Sequence, residues 1–170
     1  DHRDIVEIAE RVQDVGIQAI TIHGRTRTQR PRIPADWTLI GEVKNNPRMH
    51  IPVFGNGDVV DAKSAKHFKD NYGVDGLMIA RGVYGNPWIF HEIKTFLETG
   101  EIPELPDIEE RIKISSIQLE KSVNWKGERR GVLEMRKHWS DYFKGYPNFK
   151  PFRHELVNVE THEEVLDIHG

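Results

Sequence analysis

Cysteine is absent from all 170 residues. Disulfides, thiolate metal sites and a cysteine nucleophile are therefore excluded within this chain. No apolar run approaches membrane-spanning length and no signal peptide is visible, so a membrane partner is not expected and a cytoplasmic location is favoured. A strong charge of either sign is also missing. Lys plus Arg number 24 against 27 for Asp plus Glu, and the net charge of −3 neither demands nor forbids a nucleic-acid partner. Only local clustering can argue that point. The first residue is Asp1 rather than methionine and opens directly on a helical pattern, so a piece of something longer is expected. What is present is a folding composition, 37% apolar and 30% charged with aromatics scattered throughout. It suits one ordinary domain, or one and a half small ones.

Short apolar runs alternate with amphipathic segments over the first hundred residues. Ile5, Ile8, Ala9, Val12 and Val15 fall at helical spacing in Asp1–Val15, with Gly16 placed to stop the helix. Buried strands are expected at Gln18–Ile22, Met49–Phe54 and Asp75–Ala80. Between them, Asp36 can cap a helix through Trp37 and Val43, and Asp61 a helix carrying Ala62, Ala65 and Phe68. A strand–helix repeat of about 25 to 30 residues is the signature of βα units with parallel neighbours. Asn86 and Pro87 suit the N-cap and first position of another helix, which stops near Gly100.

The turns after these strands carry the polar chemistry. In Gly55-Asn56-Gly57-Asp58 the glycines can take positive φ and present backbone N–H donors to a phosphate. Asn56 can donate or accept, and Asp58, of the wrong charge for a phosphate, reads as a turn-maker accepting backbone N–H groups. Arg81, in Ala80-Arg81-Gly82 past the next strand, adds a fixed positive charge. His23 ends the first strand. It is either bonded to a neighbouring loop or a donor to a ligand lying across the strand ends, and Arg25 and Arg27 by themselves read as solvated charge.

From Ile108 onward the pattern is helical, and Glu101–Asp107, with Pro103 and Pro106, looks like an interdomain linker. Helical spacing covers Ile108–Trp125 and Gly131–Tyr146, with shorter helices at Phe149–Val159 and Thr161–Ile168. Thr161 with Glu164 is a capping-box pattern. Lys126, Arg129, Arg130, Arg136, Lys137, His138, Lys144, Lys150 and Arg153 crowd this region, interleaved with Trp125, Trp139, Tyr142 and Tyr146. Such a set either tracks phosphates and stacks on bases, or forms a solvated face whose aromatics point into a bundle.

Taken in order, His23-Gly24-Arg25-Thr26-Arg27-Thr28-Gln29, Ala35-Asp36-Trp37, Ile51 through Asp58, Met78 through Gly82, Gly85 through Phe90, Arg136-Lys137-His138 and Glu160 through Glu164 closely resemble the tRNA-dihydrouridine synthase family, its bacterial branch most strongly. Ordered motifs spanning nearly the whole chain are far more specific than any one of them. The family pattern usually carries glycine where Ala80 stands, and a glycine before the Ala-Asp-Trp match that Arg30–Pro34 lacks.

The resemblance implies an α/β fold: the last three βα units of a (β/α)8 TIM barrel over residues 1–100, a linker at 101–107, and an all-helical tRNA-binding domain over 108–170. It implies an oxidoreductase that reduces uridine to 5,6-dihydrouridine in tRNA, using FMN with NADPH as reductant. By the same mapping His23 lies near the flavin ring, and Asn56, Gly57, Asp58, Ala80 and Arg81 form the phosphate end. The residues assigned to RNA are Arg25, Arg129, Arg130, Arg136, Lys137, His138 and Arg153. The family's proton-donating cysteine, its flavin-contacting lysine and its first strands would all lie upstream of Asp1, so this chain alone is expected to be inactive. Open barrel edges invite self-association. A stand-alone RNA-binding module and a different phosphate-binding barrel enzyme are the alternatives.

Overall fold

A computed structural model describes residues 4–29 and 32–169. The opening residues of the helix expected from Asp1, and Arg30 and Pro31 of the Arg30–Pro34 departure, lie outside that range. The chain divides into two compact units, one comprising residues up to Val83 together with Trp88–Pro103, the other Tyr84–Pro87 together with residues from Glu104 onward.

The first unit is mixed α/β. Its elements run α1 (Ile5–Asp14), β1 (Ile20–His23), α2 (Thr38–Lys44), β2 (Val53–Asn56), α3 (Ala62–Tyr72), β3 (Gly76–Met78), a single 3-10 turn at Arg81–Val83, and α4 (Ile89–Thr99). The three strands form one parallel sheet in chain order, His23 pairing with Asn56 and Asn56 with Met78 in the last rungs. Among the described residues, the outer edges of β1 and β3 carry no strand partner. The strands sit differently from the sequence expectation. The first two begin and end later, and the third is shorter. Pairing rather than apolarity sets their ends, so the polar His23 and Asn56 are ladder residues instead of lying beyond the sheet.

The core lies between the sheet and its helices, with Ile22, Trp37, Ile40, Val43, Val53, Ala62, Ala65 and Ile89 buried. Trp37 stacks on Phe68 with ring centroids 4.1 Å apart. Gly55 lies directly against that indole, and any side chain there would collide with it. Asp61 caps α3 as expected, its carboxylate accepting the Ser64 N–H at 2.7 Å in a reciprocal capping box. The expected cap at Asn86 is not formed. Helix α4 starts at Ile89 with Trp88 in the cap position, and residues 84–87 belong instead to the second unit. There Gly85, at φ +61, is pressed against the backbone of Asp141 and Tyr142.

The second unit is helical: α5 (Ile108–Lys126), α6 (Glu128–Tyr142), α7 (Lys150–Leu156) and α8 (His162–His169). Asp107 caps α5 by accepting the Glu110 N–H at 2.8 Å. Gly131 faces the α5 backbone at Val123, where a Cβ would sit 2.7 Å from the backbone, and so lets α5 and α6 approach closely. Leu119, Val132, Met135, Trp139, Tyr142, Phe143 and Leu156 are buried. Trp139 and Tyr142 thus take the packing role, and burial pushes the Tyr142 phenol up to about 12. Trp125 is 81% exposed. No helix of the described residues is long and apolar enough to cross a membrane.

Candidate functional site

The polar residues at the carboxyl ends of β1, β2 and β3 line one concave pocket of about 340 Å³. His23, Asn56, Gly57, Asp58, Ala80 and Arg81 all contribute to it, and so do Arg25, Thr26 and Arg27. Three arginines and one carboxylate line it, so the pocket suits an anion.

Gly57 adopts φ +127, and a Cβ on it would lie 2.7 Å from that of Ala35. Both facts demand glycine. The buried Trp37 indole N–H donates to the Gly57 carbonyl at 2.9 Å, which fixes the peptide on that side of the turn. Asn56 donates its side-chain amide to the Met78 carbonyl at 2.7 Å, tying the ends of β2 and β3 together and leaving its amide oxygen as an acceptor. His23 Nδ1 lies 3.1 Å from the Asn56 carbonyl oxygen. A carbonyl only accepts, so Nδ1 carries the hydrogen. In the neutral ring Nε2 is then an acceptor, and it becomes a donor only on protonation.

Asp58 is the centre of the site's electrostatics. Its φ of +56 is the left-handed conformation that aspartate tolerates better than most residues. Its carboxylate receives Arg25 Nη2 at 2.6 Å, the Ala35 N–H at 2.8 Å and Arg81 Nη2 at 3.3 Å. Burial pushes the carboxyl up, but the Arg25 and Ala35 hydrogen bonds and the two guanidinium charges outweigh it and hold Asp58 below its ordinary value. Asp58 does accept a backbone N–H, but that of Ala35, 23 residues away, rather than one of its own turn as the sequence reading expects. Arg25 differs from its sequence reading as solvated charge: its side chain is only 5% exposed, and its Nε donates to the Ile33 carbonyl at 2.6 Å. Arg81 is 54% exposed.

The remaining residues assigned to RNA lie in the second unit and make separate contacts. Arg129 is exposed. Arg130 Nε reaches Glu134 at 3.1 Å. Arg136 donates to the Val159 carbonyl at 2.7 Å, past the end of α7. Lys137 lies over the Tyr84 ring, 5.2 Å from its centroid, and the His138 ring meets the same tyrosine edge-on. Burial first, then the neighbouring Lys137 charge, push the His138 pKa down. Arg153 Nε contacts Ser140 Oγ at 3.2 Å.

Two contributors escaped the sequence reading. Trp37 anchors Gly57 across 20 residues, and Arg25 pairs with Asp58 across 33. Neither separation leaves a periodic signal. The opposite charges of Arg25 and Asp58, each in a turn after a strand, were the one available cue.

Comparison with known proteins bears on what the pocket serves. The family model described as dihydrouridine synthase (Dus) matches residues 1–169. The chain is 39% identical to tRNA-dihydrouridine synthase B of Proteus vulgaris over 98% of its own length and 51% of that protein's. It is likewise 39% identical to the Serratia marcescens protein of the same name, over 98% of the chain and 49% of that protein. Against a probable tRNA-dihydrouridine synthase 1 of Synechocystis sp. the identity is 36%, covering 97% of the chain and 46% of that protein. The chain thus spans about half the length of the curated relatives it matches.

Proposed function

The chain belongs to the dihydrouridine synthase family, and from that membership we propose that it is the carboxyl-terminal part of an enzyme reducing uridine to 5,6-dihydrouridine in tRNA, with FMN as cofactor and NADPH as reductant. The observation that carries this reading is the pocket at the ends of three parallel strands, lined by His23, Asn56, Gly57, Asp58, Ala80 and Arg81. The sheet runs in chain order with a helix between successive strands, which supports assigning residues 1–100 to the last three βα units of a (β/α)8 barrel. After a linker at 101–107, residues 108–170 form the helical tRNA-binding domain in this assignment. The unpartnered outer strand edges are where further barrel strands would add or where copies of the chain would self-associate.

The residues present fit the phosphate end of FMN. Glycine is required at 57 by both its φ and the Ala35 methyl, and the exposed Arg81 guanidinium is within reach of the same turn. Asn56 would join this phosphate end through the amide hydrogen that its Met78 contact leaves over, and His23, through Nε2, would meet the ring end. When bound, FMN supplies the hydride chemistry that reduces the C5–C6 double bond. Protonation of the second carbon needs an acid, and with no cysteine in the chain that group is assigned to the upstream half. The chain alone is therefore inactive in this reading. Arg129, Arg130, Arg136, Lys137, His138 and Arg153 would hold tRNA phosphates, and the setting would be cytoplasmic.

The test is a fluorescence titration of FMN with the purified chain, beside an Arg81→Ala variant. An Arg–phosphate hydrogen bond is worth about 1.5–3 kcal/mol, and the exposure of Arg81 places it at the lower end, so the variant should bind about tenfold more weakly. Equal binding by the two proteins would overturn the phosphate assignment. Failure of the wild-type chain to bind, even when supplemented with an amino-terminal half from a relative, would overturn the FMN site itself.

A further inference from the structure

The helical unit carries one side chain that its packing does not explain. Trp125, in the last turn of α5, is 81% exposed, more than any other large apolar side chain of that unit. Its ring is nonetheless held. The Lys126 ammonium lies over it, 4.6 Å from the ring centroid, and that same ammonium is paired with Glu134 of α6. Glu134 also receives Arg130, and these partners hold its carboxyl below the ordinary range. One face of the indole is therefore covered by a cation that is itself anchored, and the rest of the ring is open to solvent.

The surroundings are cationic. Gly127, at φ +80, turns the chain so that Arg129 and Arg130 follow within one helical turn. Glu134 is engaged by Lys126 and Arg130, and Glu128, which keeps its charge, accepts the His162 N–H at 3.2 Å. Arg129 makes no ion pair among the described residues. Its charge remains available to a ligand.

We propose that Trp125 is a stacking platform for an unpaired nucleobase of RNA, with Arg129 holding the adjoining phosphate. The proposal rests on the tRNA reading above and extends it to a residue outside the cationic set. With a cation on one face, the other face of the indole is open for a base to stack on. Sequence selectivity is not expected, since every base offers a π-face.

The test measures binding of an unmodified tRNA transcript to the chain and to its Trp125→Ala, Trp125→Phe and Arg129→Ala variants over a series of salt concentrations. Thermal unfolding serves as the fold control, and the exposure of Trp125 means that all variants should melt like the wild type. Trp125→Ala should weaken binding about tenfold without changing the salt slope, and Trp125→Phe should recover most of the loss. Arg129→Ala should lower the slope by about one. A fully paired RNA duplex of equal charge should not distinguish Trp125→Ala from wild type. Equal tRNA affinity of wild type and Trp125→Ala would overturn the platform while leaving the tRNA reading intact. So would an equal loss on the duplex. Absence of tRNA binding by the wild-type chain would overturn the tRNA reading, and the platform with it.

Discussion

Replacing Asp58 with asparagine isolates the charge at the centre of the pocket. Asparagine tolerates the φ of +56, so the backbone is not strained by the change. The shape is also nearly preserved. What is lost is an acceptor carrying three donors: Arg25 at 2.6 Å, the Ala35 N–H at 2.8 Å and Arg81 at 3.3 Å. The remaining amide oxygen can keep one of the two closer donors, and the new NH₂ confronts the other. One charge-assisted bond lost costs about 1.5–3 kcal/mol. Stranding a fully buried ionic partner costs about 3–5 kcal/mol. Arg25 is 5% exposed but Asp58 is 32% exposed, so water softens the second figure. We expect about 2–3 kcal/mol of destabilisation of the α/β unit.

The two units need not unfold together, so the assay must read the first one alone. Urea titration of chain labelled with 5-fluorotryptophan, following the ¹⁹F resonance of the buried Trp37, does so. Arg25→Met in the Asp58→Asn background should recover part of the loss by removing the stranded charge. The pH dependence has a defined sign. Asp58 titrates below its ordinary value of 3.8 when folded, so its contribution is complete above that pH and is lost as pH falls through the folded value. The difference between wild type and variant should therefore narrow only below pH 3.8. A variant within about 0.5 kcal/mol of wild type, less than one net hydrogen bond, would refute the hub.

Gly57→Ala should strain the turn by about 1–3 kcal/mol at φ +127 and push against Ala35, weakening FMN binding at least tenfold in the titration described above. Unchanged FMN affinity would show that the turn does not approach the ligand. His138 titrates below its ordinary value of 6.5 when folded, so its contribution is full above that pH and declines as pH falls through the folded value. His138→Gln should flatten the loss of thermal stability of the helical unit between pH 7.5 and 5, and an unaltered pH profile would count against it.

The local part of the site was legible from sequence. In Gly-Asn-Gly-Asp, Gly57 takes the expected positive φ, +127, for a reason internal to the turn, whereas Gly55 does not: it is a β2 residue whose glycine is required by the Trp37 ring. Asp61 and Gly100 likewise mark helix ends through their own conformations. Where a role depends on a distant partner, the local signal misleads. Asn86-Pro87 has the chemistry of a helix start, yet residues 84–87 pack with the helical unit and α4 begins at Ile89. Trp125 and Trp139 look alike in sequence. Trp139 is buried by its position on the packed face of α6, and Trp125 is left open at the end of α5.

The two arginines flanking Asp58 show why charge counting from sequence is not enough. Arg25 is held at 2.6 Å by a carboxylate and by a carbonyl through Nε, inside a wall that leaves 5% of it exposed. Turning it outward would break both contacts and leave Asp58 with the Ala35 N–H and Arg81 alone. Arg81 meets the same carboxylate at 3.3 Å and is 54% exposed, so exchanging that contact for an incoming anion costs little. Asp58 therefore divides the labour between them: it fixes Arg25 as a brace between the β1 loop and the β2 turn, and leaves Arg81 as the guanidinium that can change partners. On this argument Arg25→Lys, which cannot hold the carboxylate and the Ile33 carbonyl with one fork, should disturb the loop more than the charge.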